Sequence, residues 1–295
     1  MAMTTPGTTP GHAATARNGD CEIFYETFGN PSDPALLMVN GLGSQCINYH
    51  HDWCAMFVAT GLFVIRFDNR DVGLSTSFAD APTAEHGECY RLGDMARDAL
   101  AVLDAVGIER AHVMGLSMGG MIVQTLAIEH PHRLRSATSV MSTTGEPDVG
   151  HATASAMALL TGPPATDRAS YVATHVAGQR EWGSPAFADE TRWRADAERA
   201  FDRAFTPLGT RRQFMAVGAS GPRADGLRTV GVPMLVMHGD CDTLIHHSGG
   251  RRTAELVPGA RFELIEGLGH DYPPQMWPRW VELVSQFCGT ADPAS

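Results

Sequence analysis

The chain of 295 residues carries 33 acidic and 22 basic side chains, a net charge of −11, and that balance speaks against nucleic acid and anionic membrane surfaces as partners. Hydrophobic residues at 43% and charged residues at 19% exclude disorder as the theme and supply one large α/β core with room for an insertion. Six cysteines lie without CxxC or metal-ligand spacing in a chain too large to need a disulfide framework, so reduced thiols are expected. The start at Met1 shows no basic and apolar leader, and no run is apolar for long enough to cross a bilayer; the expected setting is the cytoplasm.

Residues 1–17 are Thr, Pro, Gly and Ala without periodicity and read as a flexible tail. Order begins near Cys21, and Glu22 to Phe28 reads as an exposed-edge strand, closed by the turn Gly29-Asn30-Pro31. Ala35 to Val39, Leu62 to Phe67 and His112 to Met114 are apolar on nearly every residue, as strands in the middle of a parallel, helix-covered sheet must be. Between the last two, Asp94 is placed to cap a helix whose apolar positions Met95, Ala99, Val102, Leu103 and Val106 run to a stop at Gly107. A helix after Ser117 ends at His130-Pro131, and a strand follows over Ala137 to Met141. From about Gly145 to Asp225 there are only helical patterns, one from Asp189 to Phe205 and one around Phe214 to Val217. Val232 to His238 and Arg261 to Ile265 resume the strands, and Trp277, Trp280, Val281, Val284 and Phe287 line one face of a closing helix. The predicted organisation is a mostly parallel, doubly wound core over 18–144 and 226–295. A helical cap, 145–225, is inserted after the strand that follows the serine helix, over the carboxyl ends of the strands where such sheets bind ligands.

Gly115-Leu116-Ser117-Met118-Gly119 joins an apolar strand directly to a helix, and in that sharp turn a serine side chain stands proud of the sheet. A serine hydroxyl needs a base, and the base a carboxylate that fixes its tautomer. His270 lies in a glycine-bearing loop directly after a predicted strand, and Asp242 lies just after another. The order is Ser117, Asp242 after 125 residues, and His270 after 28 more, which is the order that goes with such an elbow. Asp240, two residues from Asp242, is an alternative carboxylate, and Glu146 or Asp148 a minor one. Two N–H donors for a tetrahedral oxyanion are expected from Met118, the residue after the serine, and from Leu42 in the loop Asn40-Gly41-Leu42-Gly43.

Other features read as structural. Asp68 and Arg70 organise the loop Asp68 to Ser75, and the pairs His50-His51 and His246-His247 lack the spacing and third ligand that zinc wants. No metal site is expected. Trp182, Phe187, Trp193 and Met215 serve either cap packing or an apolar pocket; Trp182 and Met215 are the candidates for contact with substrate.

With these motifs the chain resembles the α/β-hydrolase superfamily, in its esterase and lipase-like branch, and within it the enzymes that demethylate polyketide methyl esters. The likeness spans nearly everything from Cys21 to Cys288. It rests on Asn40-Gly41-Leu42-Gly43, on Asp68-Asn69-Arg70-Asp71-Val72-Gly73-Leu74-Ser75, on the serine elbow, and on Gly239-Asp240-Cys241-Asp242 and Gly267-Leu268-Gly269-His270. Asn40 replaces a usual histidine and Asp71 a usual glycine. The resemblance implies the α/β-hydrolase fold and a cofactor-free serine hydrolase of moderately hydrophobic small-molecule esters, with a carbon–carbon bond hydrolase, a lactonase, a perhydrolase or a non-catalytic ligand receptor as alternatives. Aspartate-nucleophile dehalogenases and epoxide hydrolases are excluded by the serine.

Overall fold

The structure, a computed structural model, describes residues 11–80 and 89–291. Strand β1 (His12–Asn18) turns at Gly19-Asp20 into β2 (Cys21–Phe28), and the two pair antiparallel. The expected flexible tail is therefore corrected over residues 12–17, while residues 1–10 lie outside the described part. The strand escaped notice because its inward side is formed by the small residues Ala14 and Ala16, which alternate with exposed neighbours without a strong apolar signal. With β1 outside it, β2 is not the sheet edge that its sequence implied.

The next elements are β3 (Ala35–Val39), α1 (His51–Val58), β4 (Phe63–Phe67), α2 (Leu92–Val106), β5 (Ala111–Leu116), α3 (Met118–Glu129) and β6 (Leu134–Val140). Asp94 caps α2 from inside its first turn, its carboxylate accepting the Arg91 N–H at 2.7 Å. The helix stops at Gly107, where φ is 80°. Five helices follow: α4 (Ala154–Leu160), α5 (Arg168–Trp182), α6 (Glu190–Arg203), α7 (Gly209–Ser220) and α8 (Ala224–Leu227). Then β7 (Met234–Gly239), α9 (Ser248–Leu256), β8 (Arg261–Ile265) and α10 (Trp277–Ala291) complete the described chain.

The described strands form a single sheet in the order β1-β2-β4-β3-β5-β6-β7-β8, parallel from β4 onward. Every residue of β3, β4 and β5 is buried, because α2, α3 and α9 cover one face and α1 and α10 the other. Fully buried Trp53 and Trp280 meet edge-on in the second layer, with ring centroids 5.5 Å apart. Helices α5 and α6 have a small core of their own from Val172, Val176, Trp193 and Ala197. Since β3, β5, β7 and β8 run in one direction, the loops beginning at Asn40, Ser117, Asp240 and Glu266 all leave the same edge of the sheet. No helix among the described residues is long and apolar enough to cross a membrane.

Candidate active site

Ser117 sits between the last residue of β5 and the first of α3 with φ 56° and ψ −118°, backbone strain worth about 1–3 kcal/mol for a residue with a Cβ. The glycines on either side are steric necessities. A Cβ on Gly119 would come within 2.1 Å of the Val39 carbonyl oxygen, and one on Gly115 within 2.1 Å of the Gly119 carbonyl oxygen. The turn is held by β6: the Ser117 N–H donates to the Val140 carbonyl at 2.9 Å, and Ser142 Oγ donates to the Ser117 carbonyl at 2.8 Å. Helix α3 starts at the next residue, which places the positive end of its dipole beside the serine.

The loop after β7 brings Asp242 to His270 in the loop after β8, with Nδ1 of the imidazole 2.6 Å from Oδ2. The other oxygen, Oδ1, accepts the N–H groups of Leu244 and Ile245 at 2.9 and 2.8 Å. His238, at the end of β7, places Nε2 3.3 Å from Asp242 Oδ2 and 2.8 Å from the Ile245 carbonyl. Burial by itself would push the Asp242 carboxyl up; the charges and hydrogen bonds of His270 and His238 outweigh it and hold the group well below the ordinary carboxylate range. His270 thus spends Nδ1 on a fixed anion and keeps Nε2 for other work.

The alternative carboxylates are engaged elsewhere. Asp240 is exposed and accepts the Gly267 N–H at 2.7 Å, a turn contact between the two loops. Glu146 forms a fork with Arg252 at 2.9 and 3.0 Å, and Asp148 faces solvent.

Ser117 and His270 line one cavity of about 420 Å³, together with Leu42 and Met118. Among the described residues no acceptor takes up the N–H of Leu42 or of Met118. The cavity walls are mainly apolar and come from both parts of the fold: Leu42, Met121 and Met141 from the core, Met157, Trp182 and Phe214 from the helices between β6 and β7. Met215 does not reach the cavity. On α7 the face that does so carries Phe214 and Val217, three residues apart and so on one side of a helix, while Met215 is rotated away by about 100° from Phe214. Trp193 packs in the α5–α6 core.

The loop after β3 is held without the histidine expected at position 40. Asn69 Nδ2 donates to the Asn40 carbonyl at 3.0 Å. Gln213 of α7, fully buried, accepts the Gly43 N–H on Oε1 at 2.8 Å and donates from Nε2 to the Arg70 carbonyl at 2.7 Å. Asp68 braces its own loop by accepting the Leu74 N–H at 2.9 Å and ties it to the Cys46 N–H at 2.6 Å, while Arg70 forks onto Asp98 of α2 at 2.6 and 2.7 Å. His238 and Gln213 are the site-forming residues that sequence reasoning missed. His238 had a legible signal, a polar residue ending a buried strand four positions before Asp242; Gln213 had none. No group of three or more His, Cys, Asp or Glu among the described residues is placed to hold a metal ion.

A family profile described as the alpha/beta hydrolase fold matches residues 34–272. Rhodomycin D methylesterase DnrP of Streptomyces peucetius is 31% identical over 286 residues, covering 87% of this chain and 91% of that protein. Rhodomycin D methylesterase DauP of Streptomyces sp. (strain C5) is 30% identical over 276 residues, 85% of this chain and 89% of its own. Among solved structures, the esterase RhEst1 from Rhodococcus sp. ECU1013 superposes with a TM-score of 0.73 at 21% identity, over 96% of this chain and all of that one, 100%. The parallel sheet, the strained serine at its carboxyl edge and these matches over most of the chain lead to one assignment: the chain belongs to the α/β-hydrolase fold family.

Proposed function

We propose that this chain hydrolyses carboxylic esters through an acyl-enzyme, with Ser117 as nucleophile, His270 as its base and Asp242 as the carboxylate that orients the base. Ester hydrolysis is the chemistry of the methylesterase relatives, which are alike to this chain over nearly their whole length. The observation that carries the residue assignment is the meeting, on the walls of one cavity, of a strained serine at the head of α3 with a histidine bonded through Nδ1 to a buried carboxylate. In this reading Nε2 of His270 takes the serine proton as Oγ attacks the ester carbonyl and returns it to the leaving alcohol; water then releases the acyl group. The Leu42 and Met118 amides, unclaimed among the described residues, receive the oxyanion.

The helices of residues 145–225 serve as a cap that closes the cavity and sets its shape. Its apolar lining favours a small, moderately hydrophobic ester whose acyl part excludes water from the reacting carbonyl. The cytoplasm is the expected setting, from the absence of disulfide spacing among the cysteines.

Treatment with a fluorophosphonate followed by intact-mass measurement tests the assignment directly. The wild-type protein gains one phosphonate, Ser117→Ala gains none, and the variant loses at least about 10⁴-fold in kcat on a methyl ester panel. Wild-type turnover by Ser117→Ala would remove Ser117 from the mechanism.

A further inference from the structure

The base loop, Gly267 to Asp271, is held by the far end of a cap helix. Where α5 ends at Trp182, the chain bends through Gly183 and Ser184 against this loop. The His270 N–H donates to the Trp182 carbonyl at 2.5 Å. Ser184, 1% exposed, uses both capacities of its hydroxyl: Oγ accepts the Gly269 N–H at 2.9 Å and donates to Asp271 Oδ1 at 2.5 Å, while the Ser184 N–H reaches the same carboxylate oxygen at 3.0 Å. The residues on both sides of His270 are therefore pinned by one side chain, and His270 itself by the preceding carbonyl. The approach is tight, since a Cβ on Gly269 would lie 2.4 Å from the Trp182 carbonyl oxygen. One residue earlier, the Glu181 carbonyl accepts from Thr243 Oγ1 at 2.8 Å, which ties the same bend to the residue after Asp242.

The Asp242–His270 contact is one side-chain hydrogen bond between two loops from different strands; the other ties between them, Asp240 with Gly267 and the Cys241 N–H to the Leu268 carbonyl at 3.0 Å, lie on the strand side of Gly269 and leave His270 and Asp271 unfixed. Without the bend at 181–184, the base loop would lose two backbone fixed points, at Gly269 and His270, and the side-chain anchor of Asp271.

We propose that Ser184 is a positioning residue for His270: through Gly269 and Asp271 it fixes the base loop so that the imidazole meets Asp242 and the serine at once. The same bend presents the Trp182 side chain to the cavity, so an acyl group resting on Trp182 bears on the element that holds the base. This inference rests on the serine-hydrolase reading above.

The test compares wild type with Ser184→Ala and with the near-isosteric Ser184→Cys, which keeps the volume but weakens the hydrogen bonds. Loss of about 1 Å of definition in a catalytic group costs on the order of 100-fold, so kcat for a short methyl ester and the rate of fluorophosphonate labelling should fall together by about 10- to 100-fold in Ser184→Ala. KM for the ester should stay within about twofold, because uniform binding is untouched. Ser184→Cys should fall between. The downfield proton resonance of the His270 Nδ1–H held by Asp242 should broaden or move in both variants, a change that general loosening far from the base would not produce. Wild-type labelling rate and an unmoved resonance in either folded variant would overturn the role of Ser184 alone. Failure of the wild-type protein to take the phosphonate or to turn over any ester would instead strike the reading beneath it.

Discussion

Asp71 occupies a left-handed conformation, φ 72°, at a position where the sequence resemblance has glycine. Aspartate tolerates that region better than most residues, and here the buried carboxylate is fully used. Arg212 of α7 forks onto it at 2.9 and 2.6 Å, the Tyr90 hydroxyl donates at 2.7 Å and the Phe78 N–H at 2.8 Å. The departure from glycine therefore exchanges roughly 1–2 kcal/mol of backbone strain for an anchor between core and cap. Asp71→Gly should relieve the strain yet leave Arg212 buried and unpaired, a loss of about 3–5 kcal/mol; the net result is destabilisation by a few kcal/mol in urea unfolding. A variant as stable as wild type would show that the ion pair is worth no more than the strain it is exchanged for. At this scale the sequence pointed to Ser117, Asp242 and His270, the set proposed above, because each lies at or within the turn that follows a strand. Ser184 and Gln213 left no such mark. Their meaning comes from partners 85 and 170 positions away, and a serine after a glycine or a glutamine on a helix is ordinary in itself.

Among the elements, the fully buried strands were legible because apolar runs of five residues between turn signals have few other uses, as β3 illustrates. Helix α5 was obscure: Val172 and Val176, its inward residues, are interspersed with Ala, Thr and His and form no clean stripe. The misplacement of Met215 is a matter of helical phase, since a periodic pattern locates a helix more readily than the direction in which each face points. Strand β5 also contains a buried polar residue with a thermodynamic consequence. His112 bonds through Nδ1 to Ser136 Oγ on β6 at 2.8 Å. Burial, aided by the nearby charges of Arg135 and Arg110, lowers its pKa from 6.5 to about 4. Between those values the unfolded chain binds a proton that the folded chain refuses, so stability falls as pH drops through that interval, by up to about 3 kcal/mol. His112→Gln, which keeps a polar group at this position without the titration, should lose less between pH 7 and pH 4.5 in paired urea melts. Equal losses for both proteins would assign the acid sensitivity to other groups.

Across the whole molecule, the helical segment between β6 and β7, proposed above as a cap, is joined to the rest of the fold by buried polar contacts. Arg203 pairs with Asp68 at 2.8 Å and Arg212 with Asp71 at 2.6 Å, while Gln213 holds the loop after β3 and Ser184 the loop after β8. An insertion whose only task was to cover a cavity would need apolar contact and little else; ion pairs with desolvated partners are costly to assemble and destabilising to leave half-made. The ion pairs hold the loop after β4, and Gln213 and Ser184 hold the loops that carry Leu42 and His270, so in the reading proposed above the helical segment is part of the site it covers.

For protein engineering, this means that residues 145–225 are not an interchangeable cassette for altering specificity. A chimera carrying the corresponding segment of a relative, without counterparts of Ser184, Arg212 and Gln213, should retain the sheet yet react slowly with a fluorophosphonate whatever acyl group its new pocket admits. Restoring those three side chains in the graft should recover most of the labelling rate. A chimera that reacts at the parental rate without them would show that the core alone sets the geometry of its serine.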